Sequence, residues 1–175
     1  MSVIVPQSRA GDRHRPGRHR ERNTVAITHT FQVSLRASSP EGPTRMEARA
    51  HVLMAQHKPP LKGSSAPTFH GDQAKWNPEE LFAAALAQCH YLSYVYVAGE
   101  EGLTIHGYTC TATAHLSVSP DGGQITSVEL IPEVTVTPGN EDLAQQLHVR
   151  AHDECFIARS VSCEVTVSPR VHTVS

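Results

Sequence analysis

The stretch NPEELFAAALAQCHYLSYVYVAGE, residues 77–100, decides how the rest of the chain is read. Asn77 is a good helix N-cap, Pro78 suits the first helical position, and Glu80 stands where a capping-box glutamate belongs. The spacing predicts a helix to about Ala98, stopped by Gly99 or Gly102. Phe82, Ala85, Leu86, Cys89, Leu92 and Tyr96 follow the i, i+3, i+4, i+7 rule. Alanine crowds the opposite side, so the helix is expected to be buried nearly all round. A cysteine followed at once by a histidine sits in its middle.

Outward from this helix the chain alternates between strand and turn patterns. Residues 24–37, TVAITHTFQVSLRA, place Val25, Ile27, Phe31, Val33 and Leu35 in strand-like alternation, and SSPEGP is turn material. MEARAHVLMA is a second, less regular strand. KPPLKGSSAPTFHGDQAKW is a long Pro/Gly/Ser-rich loop, of the kind that is functional or disordered. After the helix, HGYTCTATAHLSV puts Tyr108, Cys110, Ala112, Ala114, Leu116 and Val118 on one face. PDGGQ is a hairpin turn, and Ile125 to Thr137 returns as a strand broken at Pro132. NEDLAQQLHVRAHDE is a second helix and SVSCEVTVS a last strand. The expected class is α+β, with curved antiparallel sheets packed around two helices.

The chain has 175 residues, enough for one domain with a core. No apolar run approaches the roughly 18 residues of a membrane span, and the N-terminus lacks the apolar core of a secretory signal. Residues 1–23 carry six arginines against Asp12 and Glu21, a net +4, which leaves −6 on the remainder. This basic arm has no aromatic residue for base stacking. A disordered tail, or an over-extended start of the reading frame, accounts for it better than nucleic-acid binding does. Residues 24–175 then form the domain. Four cysteines in a chain of this length do not make a disulfide scaffold, so a reducing cytoplasm is expected.

Cys110 and Cys163 fall on apolar strand faces and read as small core residues. Cys89, inside the capped helix, and Cys155, where AHDECFIARS turns from polar to apolar at the end of the second helix, differ from them. Packing alone remains open for both. His148 and His152 stand i, i+4 near Cys155, a spacing that can serve a metal. The glutamate of zinc-protease motifs is missing between them, and no other ligand cluster is evident.

NPEELFAAALAQCHYL resembles the signature helix of the OsmC/Ohr family, the osmotically induced and organic hydroperoxide resistance proteins. The family pattern has an Asn-Pro-Glu-Glu start and a cysteine ten positions after the first glutamate, as here from Glu79 to Cys89. AHDECFIARSV resembles the segment that carries the family's second thiol. The likeness runs from about Thr24 to Pro169 and includes GSSAPTFHGD.

It implies an intertwined homodimer and a thiol peroxidase that needs no cofactor. Cys89 would reduce a hydroperoxide, Cys155 would resolve the product as a disulfide, and a dithiol or lipoylated protein would restore both thiols. No nucleic acid or membrane enters this scheme. The family also carries an arginine on the loop before the helix, braced by the helix glutamate, here Glu79. This chain reads FHGD at that loop, so His70 takes the arginine's place, with Arg159 as a fallback cation. A non-catalytic redox sensor or ligand-binding dimer is the alternative. Phe69, Phe82, Tyr91 and Phe156 would favour an organic hydroperoxide, or serve the core.

Overall fold

The computed structural model describes residues 27–37 and 49–175. The basic arm expected over residues 1–23 lies outside the described residues. The elements in chain order are β1 (Ser34–Arg36), β2 (His51–Met54), β3 (Leu61–Gly63), α1 (Pro78–Glu100), β4 (Ile105–Ser119), β5 (Gly122–Val136), α2 (Glu141–Asp153), β6 (Glu164–Val167) and β7 (Arg170–Thr173). The α+β reading holds: two helices accompany two sheets. The first sheet is β1-β2-β3, antiparallel throughout. The second is built on the long β4–β5 hairpin, closed by a tight turn at Pro120–Asp121, with Ser119 opposite Gly122.

The second sheet is mixed rather than antiparallel, because β6 and β7 both run parallel to β5. A parallel partner needs a crossover connection, and α2 supplies it. The expected single last strand is two short ones, and the break between them explains Pro132. That residue was expected to break β5, yet it sits in the ladder opposite Cys110. The Leu130 carbonyl accepts from the Ser168 amide, on the β6 side. Pro132, two residues on, directs its backbone to the same edge, at the gap where β6 has ended and β7 has not begun. No partner there requires the N–H that proline lacks.

Helix α1 starts as its sequence requires. Asn77 Oδ1 accepts from the Glu80 amide at 2.8 Å, and Glu80 Oε2 accepts from the Asn77 amide at 3.2 Å. Its buried residues are Ala83, Leu86, His90, Tyr94, Val97 and Ala98. This is a different stripe from the one the apolar spacing suggested, because the helix is apolar on several sides and hydropathy alone does not choose among them. Nor is α1 buried all round: Leu92 is 57% and Tyr96 60% exposed in the single chain. By length and composition α1 is apolar enough to cross a membrane, with a mean hydropathy of 1.3 over 18 residues, which corrects the expectation from the raw sequence. Its histidine-bearing stripe packs instead into protein.

One core cluster joins Tyr94, Val97 and Ala98 of α1 to Val134 and Val136 of β5 and to Ala144, Leu147 and Ala151 of α2. A second joins Leu86 to Val128 and Leu130. Cys110 and Cys163 pack at the margin of that second cluster, as their strand positions suggested.

The long loop before α1 is ordered by its own backbone. The Ser64 amide donates to the Trp76 carbonyl at 2.9 Å, and Trp76 donates to the Lys62 carbonyl at 3.2 Å. Gly71 lies so close to Ser65 that a Cβ there would overlap the Ser65 carbonyl oxygen. Asn77→Ala removes the side-chain half of the capping box and keeps the backbone amide that donates to Glu80, and we expect it to lower stability by about 1 kcal/mol in urea unfolding. An unchanged midpoint would show that packing alone fixes the start of α1.

Candidate functional site: two thiols at a helix crossing

Cys89 lies halfway along α1, and Cys155 follows α2 after one residue. All four cysteines among the described residues are free thiols. The structure brings Cys89 and Cys155 together: the Ile157 amide, two residues past Cys155, reaches Cys89 Sγ, and the two thiols are close enough to influence each other. The chain after α2 turns tightly here. The Cys155 amide donates to the His152 carbonyl at 3.1 Å, and the Arg159 amide to the Cys155 carbonyl at 3.1 Å. That turn points backbone donors at sulfur. The Ile157 amide donates to Cys89 Sγ at 3.5 Å, and the Ala158 and Ile157 amides, close to the Cys155 sulfur, oppose the rise of its pKa.

The two sulfurs differ in surroundings. Cys155 is 1% exposed. Burial raises its thiol pKa, and the nearby Cys89 thiol raises it further, against the opposing effect of the backbone donors. Cys89 is half-buried. Phe156, between Cys155 and Ile157, is 77% exposed, and Tyr91 tilts against Tyr108 with ring centroids 4.8 Å apart. Phe82 lies at the edge of the second core cluster and Phe69 is half-buried.

His70 and Glu79 are not joined to the thiols by any hydrogen bond or ion pair among the described residues. His70 is exposed, in a left-handed conformation (φ 62°) that ends the 3-10 turn Pro67–Phe69. Its carbonyl accepts from the Arg49 guanidinium at 3.4 Å. Glu79 is half-buried, with Oε2 shielded from solvent and without a hydrogen-bond partner. The Arg159 side chain is exposed.

Sequence reasoning missed the histidine cluster beside the thiols. His90 Nε2 and His148 Nδ1 are 3.0 Å apart, and both rings are fully buried between α1 and α2. The Tyr94 ring stacks on His148 at 4.0 Å, and its hydroxyl donates to the Ala144 carbonyl at 3.2 Å. His152 tilts toward His90 at 6.5 Å. His148 and His152 stand at helical spacing on α2, but nothing in the sequence links them to His90 on α1, and a hydropathy stripe counts histidine as polar and turns it outward. Among the described residues no group of three or more His, Cys, Asp or Glu side chains is placed to hold a metal ion.

Burial lowers His90 to about 4, helped by nearby His152, and burial lowers His148 to about 3, helped by His90. Both rings are therefore neutral at pH 7, and one donates its N–H to the other. In an unfolded chain each would titrate near 6.5. Between that value and the folded ones the unfolded state binds more protons, so acid destabilises the fold. Stability in urea should fall as pH drops from 6.5 toward 4, by about 1.4 kcal/mol per pH unit for each imidazole. Replacing both histidines with leucine should flatten this slope. An equal slope in that double variant would place the acid sensitivity elsewhere.

A profile of the OsmC-like protein family matches residues 70–170. No curated protein matches the chain. Among solved structures, an OsmC-like protein of unknown function from Vibrio cholerae O1 biovar eltor is 26% identical, with a TM-score of 0.73 over 81% of this chain and 99% of that one. An organic hydroperoxide resistance protein OsmC from Legionella pneumophila is 21% identical, with a TM-score of 0.62 over 83% and 99%. The organic hydroperoxide resistance protein OhrB of Bacillus subtilis is 21% identical, with a TM-score of 0.56 over 82% and 98%. The matched span covers more than half the chain and contains both thiols, the capped helix and strands β4 to β6: this chain belongs to the OsmC-like protein family.

Proposed function

We propose that the protein is a cytoplasmic two-thiol peroxidase that reduces organic hydroperoxides. The observation that carries this reading is the meeting of Cys89 and Cys155, 66 residues apart in sequence, with the Ile157 amide beside Cys155 donating to Cys89 Sγ at 3.5 Å. Family membership and structural relatives described as organic hydroperoxide resistance proteins support it.

The nucleophile is a thiolate, and an unperturbed cysteine is only about 3% ionised at pH 7. Cys89 is the better placed of the two, being half-buried and facing an amide donor. Its thiolate attacks the terminal peroxide oxygen and the O–O bond breaks. The departing alkoxide takes up a proton and leaves as an alcohol. Cys89, now a sulfenic acid, is oxidised by two electrons. Cys155 then attacks that sulfur, and its proton leaves with the sulfenic hydroxyl as water, closing a disulfide. An external dithiol, free or as a lipoyl group on a protein, reopens the bridge by exchange and is itself oxidised.

His70, Glu79 and Arg159 belong to this reading as the charged surroundings of the site. The unpartnered Glu79 oxygen supports a cation docking there. Assembly as a homodimer supplies one route, since Leu92, Tyr96, Val149 and the β1 residue Leu35 all leave apolar surface open in the single chain.

Purified protein supplied with cumene hydroperoxide and dihydrolipoamide should consume peroxide catalytically. Cys89→Ser should bring turnover to background, and Cys155→Ser should leave the first oxidation intact and accumulate sulfenic acid. Slow, stoichiometric oxidation of the unaltered protein would instead mark a redox sensor. If His70 supplies the cation, His70→Arg should hold or raise the rate and His70→Ala should lower it about tenfold, equivalent to about 1.4 kcal/mol. Equal rates would remove His70 from the mechanism. Light scattering should give twice the 19.1 kDa chain mass, and a single chain mass would rule out the dimer.

A further inference from the structure

We infer that His90 and His148 are positioning residues, and that their hydrogen bond sets the α1–α2 crossing so that Cys89 and Cys155 can close a disulfide. The inference rests on the two-thiol scheme above and adds the device that aligns its partners.

His90 directly follows Cys89 on α1. His148 lies seven residues before Cys155, two helical turns along α2 and its exit, which places both on nearly the same side of that element. The hydrogen bond therefore joins the two segments that carry the sulfurs, within one turn of Cys89. Most of the remaining interface is apolar: Val97 and Ala98 against Ala144, Leu147 and Ala151. Apolar burial is non-directional, and such surfaces can slide or rotate at little cost. A hydrogen bond with one good geometry resists that movement.

The unused ring nitrogens sharpen the argument. His90 Nδ1 and His148 Nε2 are buried and have no partner. Each ring thus keeps a single side-chain hydrogen bond, the one to the other ring. A slip of α2 along α1 would leave two buried imidazoles wholly unsatisfied, which is far costlier than never having placed them there. Tyr94 limits rotation from the other side, with its ring on His148 and its hydroxyl on the Ala144 carbonyl. Among the described residues the remaining polar links between the helices are exposed: Arg150 of α2 pairs with Glu100 and Glu101 at the C-terminal end of α1, about three turns from Cys89. Those solvent-facing pairs hold weakly and do not fix the thiol end.

The test measures disulfide closure without peroxide. The full chain is equilibrated in glutathione redox buffers, and the Cys89–Cys155 disulfide is quantified by mass spectrometry of its linked peptides. This gives an effective concentration of one thiol toward the other. Asparagine at position 148 keeps a polar atom where Nδ1 stands, and glutamine at position 90 keeps one where Nε2 stands. His148→Leu and His90→Leu should lower the effective concentration by about tenfold to 100-fold. His148→Asn and His90→Gln should retain most of it. If the leucine variants do not fold, His148→Asn against His148→Gln, whose amide reaches one methylene too far, decides the matter in the same way.

Equal effective concentrations across all folded variants overturn the inference. So does an equal loss in the asparagine and leucine variants. If the unaltered protein forms no Cys89–Cys155 disulfide at any glutathione ratio, the inference falls together with the two-thiol scheme. Normal closure without peroxide turnover leaves this inference standing and removes the peroxidase reading alone.

Discussion

One stripe of helix α1 is too apolar to stand in water, and the described structure is arranged to cover it. Its stripe from Ala83 to Ala98 must meet protein, so the long β4–β5 hairpin supplies one wall and α2 another. That requirement also dictates topology. The chain leaves β5, crosses over through α2 and returns beside β5 in the parallel sense as β6 and β7. Pro132 is tolerated because the returning edge is interrupted where its missing N–H would have been needed. The placement of Cys155 is a consequence of the same crossover, since the turn that ends α2 and feeds β6 falls against the middle of α1.

Local chemistry made much of this legible in the sequence. The Asn77–Glu80 capping box, the β4–β5 hairpin and its tight turn, the second helix and the half-buried strand cysteines follow from rules acting over a few residues. Cys89 and Cys155 could be singled out by their positions and by family likeness, and the fold brings them into contact. What the sequence did not disclose depends on choices among equivalent surfaces. A helix that is apolar on several sides has no hydropathic reason to bury Tyr94 and Val97 rather than Leu92 and Tyr96. Parallel pairing of β6 and β7 is invisible in alternation, which looks the same in either direction. His90 follows Cys89 but turns away from it by the helical step between adjacent residues, and that carries it into the interface with α2, where its bond to His148 forms.

Burying histidines at that interface has a definite electrostatic cost and a definite benefit. Two leucines would contribute more transfer free energy and no pH sensitivity. The imidazoles give up the charged state over much of the acidic range, as their depressed values of about 4 and 3 record. In exchange they give the crossing a direction. Buried polar pairs elsewhere fix register at the expense of stability, and the same trade suits an interface whose two sides carry groups that must meet to within ångströms.

The asymmetry of the two sulfurs orders the proposed cycle. A thiol that is buried and raised, as Cys155 is, resists ionisation and is shielded from solvent oxidant. A thiol that is half-buried and faces an amide donor is the more exposed nucleophile. Oxidation at Cys89 changes the balance for its partner: the new hydroxyl is a leaving group that can accept the Cys155 proton as the S–S bond forms, so Cys155 need not ionise in advance. The raised value of Cys155 then protects the resolving thiol before the first step without blocking the second. The backbone turn at Ile157 and Ala158 lies beside both sulfurs, so in the proposed cycle its amides face the place where negative charge develops during closure. A lone cation beside Cys89 would bear on the first step alone, and the turn after α2 is the feature of this fold that bears on both.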